Sequence, residues 1–286
     1  MPRNRGSRVS RIGCAGMLVL GAVACSSGSD DVLDAGLLTV DPSGSADFTT
    51  IQAALDSAGA GATIEVEGGT YTENLEIEQP VTLRAVGAAN VQGLPGSPTI
   101  HVRGTSDVRI EGFTIQGPTD GVQISDSARV VLTSIVASRN GDEGVDVQSS
   151  TDIEVDGMFV ENAGEGIQVR GGSARVTIHS STVTGSAEDG VRIEFSNGIT
   201  VHSSTVSGNL GDGVKVESSG GCTVRDNQIT SNGDDGILVG ESTGAQLLRN
   251  AINSNLGNGI RLRASPDTVY TDNTFSANGG LEVSID

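Results

Sequence analysis

Tryptophan is absent from this chain of 286 residues, and its only aromatic side chains are two tyrosines and five phenylalanines. That excludes a core built around large rings, and it removes the tryptophan platform on which sugars usually stack. Cysteine is scarce too. Cys14 and Cys25 lie near the N-terminus and only Cys222 lies further on, so no disulfide framework can form in the body of the chain. Basic residues are outnumbered, 17 Lys and Arg against 36 Asp and Glu, for a formal charge of −19. Nucleic acid and anionic membrane are poor partners for such a surface.

Glycine is abundant, with 41 residues, and seven of them are regularly placed. Gly121, Gly144, Gly166, Gly190, Gly213, Gly236 and Gly259 open the runs GVQI, GVDV, GIQV, GVRI, GVKV, GILV and GIRL at steps of 22 to 24 residues. A fixed period of this size marks one supersecondary unit stacked on itself. Each unit holds three short alternating runs with no helical period between them, which predicts three strands and three turns per coil. In one coil these are Val214–Val216, Cys222–Val224 and a strand centred on Ile229. A coil of 23 residues cannot bury its own apolar stripe, so successive coils must pair as parallel strands around a common core. The glycine before the first strand fits a corner that needs either positive φ or close backbone approach. Asn227, Asn250 and Asn273, with Ser204 and Ser181 at the same place in earlier coils, make a second register mark suited to hydrogen bonds along the axis.

The pattern resembles the right-handed parallel β-helix repeat of the pectate-lyase-like superfamily over roughly Leu37 to Asp286. Asp47–Leu55, Ile64–Val66 and Gly69–Glu73 look like the usual opening of that family, and Ile51, Ala54, Leu55 and Ala58 sit at helical spacing, predicting a short helix that caps the N-terminal end. The expected fold is all-β: a single-stranded right-handed parallel β-helix of about nine coils, filling residues 37–286. Gly280–Ile285 begins one more first strand, leaving an edge suited to end-to-end self-association or a local cap.

Residues 1–24 have the layout of a secretory signal, with Arg3, Arg5, Arg8 and Arg11 ahead of an apolar run from Ile12 to Ala24. Ala22-Val23-Ala24-Cys25-Ser26 resembles a bacterial lipobox, which implies lipid attachment to Cys25, a flexible tether over 25–36 and an address at the outer membrane or cell surface. Ordinary cleavage near Ala24 is the alternative.

Several constellations could support chemistry. An acid precedes most repeat glycines, and Glu143, Glu165, Asp189, Asp212 and Asp235 would form a ladder of hard oxygen ligands suited to calcium, the one cofactor these residues point to. The same residues also favour turns for backbone reasons, and the two readings are compatible. Asp212, Asp234 and Asp235 resemble the aspartates of polygalacturonases, which implies acid–base roles in hydrolysis, but that family's His-bearing motif is replaced by Asn258-Gly259-Ile260. His179 and His202 occupy one coil position and would stack, offering two nitrogens to a transition metal or forming a plain surface ladder. Thr182, Thr184, Thr205, Ser207 and Thr230 give the third strands uncharged hydroxyl rows able to hydrogen-bond a polymer.

Every enzyme motif tested is incomplete, so the favoured reading is an exported, lipid-anchored envelope protein whose β-helix binds a polysaccharide or partner protein without catalysis. A polysaccharide lyase or glycoside hydrolase, and a structural spacer or adhesin, are the alternatives. Replacing Cys25 by Ser should abolish fatty-acid labelling in a bacterial host and shift the protein from the membrane fraction to the soluble one. Unchanged labelling of Cys25→Ser would refute the anchor.

Overall fold

The computed structural model describes residues 36–161 and 164–286. The expected signal peptide, Cys25 and the expected tether up to residue 35 therefore lie outside the described residues. From Leu37 onward the chain winds as a parallel β-solenoid whose strands fall into two sheets, one of ten strands and one of nineteen. The ten-stranded sheet collects the first strand of each coil, from Leu75–Ile77 to Val283–Ile285. Second and third strands join in the other. The solenoid has about 11 turns rather than nine, because coils before Gly121 pair in the same register without carrying the repeat glycine: Leu75 pairs with Ile100, and Ile100 with Val122.

Alternation decides what is inside. In Val214–Glu217 both valines are fully buried while Lys215 and Glu217 face outward, and in the next coil Ile237 and Val239 are buried in register with those valines. These Val, Ile and Leu side chains stack coil on coil into one continuous core, which also takes in Cys222. β-branched side chains suit such a strand because they pack well on a pleated surface.

The helix Ile51–Ser57 closes the N-terminal end and buries Ile51, Ala54 and Leu55. Its first turn lacks an acid of its own. Glu73 supplies one, accepting the N–H groups of Ile51 at 2.9 Å and Gln52 at 3.0 Å. That is why the Gly69–Glu73 motif belongs with the helix.

The repeat glycines act through close approach, not positive φ. A Cβ on Gly213 would lie 2.5 Å from Ile229 Cγ2 and 2.6 Å from the Gly236 carbonyl oxygen. Gly236 meets Ile252 and the Gly259 carbonyl in the same way. Positive φ falls instead at other corners, where residues such as Ser134, Ser180, Ser203, Asp226 and Arg249 adopt it.

Three side-chain ladders bind the buried corners. Asn227 Oδ1 accepts the Ser204 N–H, and its Nδ2 donates to Asn250 Oδ1 and to the Val201 carbonyl. A second ladder runs from Ser186 through Asn209, Asn232 and Asn255 to Asn278. A third uses serine, each backbone N–H donating to the hydroxyl one coil on, through Ser127, Ser150 and Ser173 and again through Ser196, Ser219, Ser242 and Ser265. Asn232→Ala would leave the Asn209 N–H without its acceptor and take one hydrogen bond each from Asn209 Nδ2 and the Val206 carbonyl. Buried polar groups left unpaired cost about 1–3 kcal/mol each, so urea denaturation should show a loss of about 2–4 kcal/mol. Ser207→Ala on the outer row should stay within about 0.5 kcal/mol.

Candidate functional site

The acids before the repeat glycines form a corner ladder of their own. Asp189 Oδ1 accepts the Asp212 N–H at 2.8 Å, and Asp212 Oδ1 accepts the Asp235 N–H at 2.9 Å. Asp235 Oδ1 then takes both the N–H and the Nδ2 of Asn258, at 2.6 and 2.8 Å. Asn258 continues the series, since its Oδ1 accepts the Leu281 N–H. An amide can replace the carboxylate because the ladder needs an acceptor, not a charge. The ladder leaves little of its acids exposed: Asp212 is 3% and Asp235 1% accessible.

Burial at this corner shifts protonation. Desolvation, then a hydrogen bond to Asp120 and that residue's charge, push Glu143 up to about 8. Desolvation, with the charges of Glu188 and Glu143, raises Glu165 to about 7. Asp212 also reaches about 7, from desolvation and then the charges of Asp189, Asp234 and Asp235.

Beside this corner, the outward row of the first strands holds Gln123, Asp146, Gln168, Arg192, Lys215, Leu238 and Arg261 in register. The basic groups on the outer face of this sheet are engaged. Arg170 grips the fully buried Asp146 with two hydrogen bonds at 2.9 and 2.8 Å. Arg192 lies 3.4 Å from Glu165, 3.8 Å from Asp189 and 3.2 Å from Glu194. Arg263 pairs with Glu217 and Arg261 with Asp286. A lyase would need one such base free beside its substrate, and these are tied to carboxylates.

His179 and His202 stack with ring centroids 5.1 Å apart and planes 4° from parallel. His179 is flanked by Glu154 at 3.1 Å and Asp156 at 3.2 Å. Burial, then the neighbouring Arg225, lowers the pKa of His202. The stacking brings the imidazoles together face to face rather than converging their nitrogens. Nearby, Arg129, Asp152, Glu154, Arg175 and Thr177 line a surface groove of about 460 Å³.

The outer rows of the third strands are continuous in register, with Gln228 and Ala251 interrupting the hydroxyls of one and Asn253 those of the other. Thr182 pairs with Thr205 and Thr205 with Gln228, while Thr184, Ser207, Thr230, Asn253 and Ser276 follow one another in register. All five predicted hydroxyl residues are half-buried.

The serine ladder and the second asparagine ladder escaped the sequence reading, although both recur at the repeat period. So did pairs such as Arg175 on Asp152 and Arg249 on Asp226, each joined by two hydrogen bonds one coil apart. Alternating Asp and Arg at that spacing was the available signal.

The family model described as "Right handed beta helix region" matches residues 98–252 and 165–286. This chain belongs to the right-handed β-helix family. Among solved β-helices it is similar to the full-length tailspike protein 2 from Escherichia coli O157:H7 bacteriophage CAB120, with a TM-score of 0.65 and 13% identity over 78% of this chain and 35% of that one. An alginate lyase from Paenibacillus sp. gives a TM-score of 0.61 and 18% identity over 80% of this chain and 95% of the lyase. Pectate lyase Pel9A gives 0.58 and 13% over 82% and 71%. These likenesses establish the fold. In sequence, a cell surface glycoprotein from Methanothermus fervidus is 32% identical over 89 residues, 30% of this chain and 15% of that protein. The chain thus spans a small part of that relative's length.

The acid corner makes the β-helix pH-sensitive. Glu143, Glu165 and Asp212 bind their protons more tightly folded than at the ordinary values of 4.5, 4.5 and 3.8. Their contribution is fully present below those ordinary values and is lost as pH rises through about 7 to 8. Stability should therefore fall between about pH 4 and 8. After allowance for solvent screening, a loss on the order of 1 kcal/mol per group corresponds to about 2–4 °C in Tm. Scanning calorimetry at pH 5 and pH 8 should show a higher Tm at pH 5 and a smaller difference in Glu143→Gln.

Proposed function

We propose that this protein is an exported β-helix module that binds an uncharged polysaccharide at the cell surface without cleaving it. The observation that supports this is the outer face of the third strands. From Thr182 to Ser276, two in-register rows of Thr, Ser, Gln, Asn and Ala pass through five coils without a charged side chain. In a chain of net charge −19 this is the strip on which a neutral polymer meets least repulsion along its length. Coils about 4.8 Å apart present donors and acceptors at a spacing comparable to one sugar ring. Binding there would rest on many hydrogen bonds, since aromatic stacking platforms are absent.

Non-catalytic binding is favoured over hydrolysis because Asp212 and Asp235 already serve the backbone ladder and are almost entirely buried. Catalytic acids must reach the scissile bond. The tailspike and lyase likenesses are consistent with a polymer as ligand, and the cell surface glycoprotein with a surface address. Lipid attachment at Cys25 would hold the module there. Among the described residues no helix is long and apolar enough to cross a membrane.

Retention in gels containing neutral or acidic polysaccharides, with reducing ends and unsaturated uronates followed in parallel, tests this reading. A neutral glycan should retard the protein with no new ends, and Ser207→Glu should weaken retention by about tenfold, the equivalent of about 1.4 kcal/mol. Turnover that depends on Asp234 or Asp235 would overturn the non-catalytic reading. Loss of retention on every polymer would favour a spacer.

A further inference from the structure

The acid corner carries a second pattern, of period two. From Gly144 onward, the residue two places before the repeat glycine is Asp142, Gly164, Glu188, Gly211, Asp234 and Gly257 in successive coils. Acid and glycine alternate for a steric reason. A Cβ on Gly211 would lie 2.5 Å from Asp189 Oδ1, and one on Gly257 would lie 2.5 Å from Asp235 Oδ1 and 2.9 Å from Asp234 Oδ1. Every second coil therefore adds an extra carboxylate to the ladder. The result is three groups along the corner: Asp120 with Asp142 and Glu143, Glu165 with Glu188 and Asp189, and Asp212 with Asp234 and Asp235.

The three groups are compensated differently. In the first, Asp120 and Glu143 are hydrogen-bonded to each other, and Gln123 Nε2 donates to Asp120. In the second, Arg192 reaches Glu165 and Asp189, and Lys215 lies 3.6 Å from Asp189. The third group has no ion pair among the described residues. At the row position where Arg192 and Lys215 serve the second group, the next coil has the buried Leu238, and Arg261 beyond it makes its ion pair with Asp286 and acts on Asp234 and Asp235 only through longer-range charge. One carboxylate oxygen from each of Asp212, Asp234 and Asp235 lies within 4.8 Å of the others. Asp235 gives its Oδ1 to Asn258, while its Oδ2 is buried with no hydrogen-bond donor on a residue only 1% accessible.

We propose that Asp212, Asp234 and Asp235 form a divalent-cation site of the calcium class. Three hard oxygens within the width of one calcium shell, whose metal–oxygen distances are about 2.3–2.6 Å, match that ion's preference for several carboxylates in irregular geometry. Magnesium holds its waters more tightly and is the poorer fit to two buried carboxylates. The ion supplies the positive charge that Arg192 and Lys215 give the preceding group, and it gives Asp235 Oδ2 a partner. Asp234, the exposed member, is the point of entry. Asp120, Asp142 and Glu143 have the same spacing, but there Asp120 and Glu143 are already hydrogen-bonded to each other; the site narrows the expected five-acid calcium ladder to the third group, and it does not depend on the polymer reading.

The test uses the full chain freed of metal with a chelator. Calorimetric titration with calcium chloride should give saturable binding, and about 5 mM calcium should raise the Tm by several degrees. Asp234 takes no part in the side-chain ladder, so Asp234→Asn should fold, keep or exceed the metal-free Tm, and bind calcium at least about tenfold more weakly. Asp142→Asn, in the first group, should bind as the wild type does, and magnesium should bind more weakly than calcium. Absence of both heat and Tm change overturns the site. Undiminished calcium binding by Asp234→Asn, or a preference for magnesium, does so as well.

Discussion

Each coil of this β-helix rests on backbone N–H groups at its corners that donate to side chains of the adjacent coil. Strand ladders satisfy the flat parts, as in any parallel sheet. Corners are harder, because the chain turns inward there and water is excluded. Asparagine, serine and aspartate meet the need, each supplying an acceptor of the right reach at a fixed point of the repeat. Loss of one rung strands the backbone donor of the coil before it, and for that reason these polar residues belong to the core as much as the valines do.

The same requirement explains why the acids are where they are. A carboxylate before the glycine is first an acceptor for a neighbouring N–H, and Asn258 performs that role without charge. Its charge is a consequence that the rest of the corner must absorb. Glu143 does so by holding a proton, Asp189 by Arg192 and Lys215. The third group forms no ion pair among the described residues, and Arg261, whose charge reaches Asp234 and Asp235, is bound to Asp286. Structural need and chemical opportunity thus arise from one residue type at one position.

Much of this was legible in the chain. The glycine period, the inward valines and the helix over Ile51–Ser57 follow from alternation and spacing, which are local properties. The Asn227–Asn250–Asn273 ladder was equally visible, since a repeat that stacks in register places equal positions together. Coils before Gly121 were undercounted because Leu75 and Ile100 pair without the marker glycine. The role of that glycine was left open between strain and space, and only packing against Ile229 and its equivalents distinguishes the two. The serine ladder was overlooked because serine is also the commonplace residue of a turn.

Periodicity by itself determined the solenoid, its inward and outward faces and which residues share a row, because a parallel stack in register converts sequence spacing into spatial adjacency. Tertiary structure decided what each row does. Burial turned the acid edge into a hydrogen-bonded ladder, the position of Arg192 relative to Leu238 separated a carboxylate group with ion pairs from one without any among the described residues, and face-to-face stacking set the relation of His179 to His202. Such distinctions depend on distance, desolvation and the identity of neighbours from other coils, and no local pattern in the chain records them.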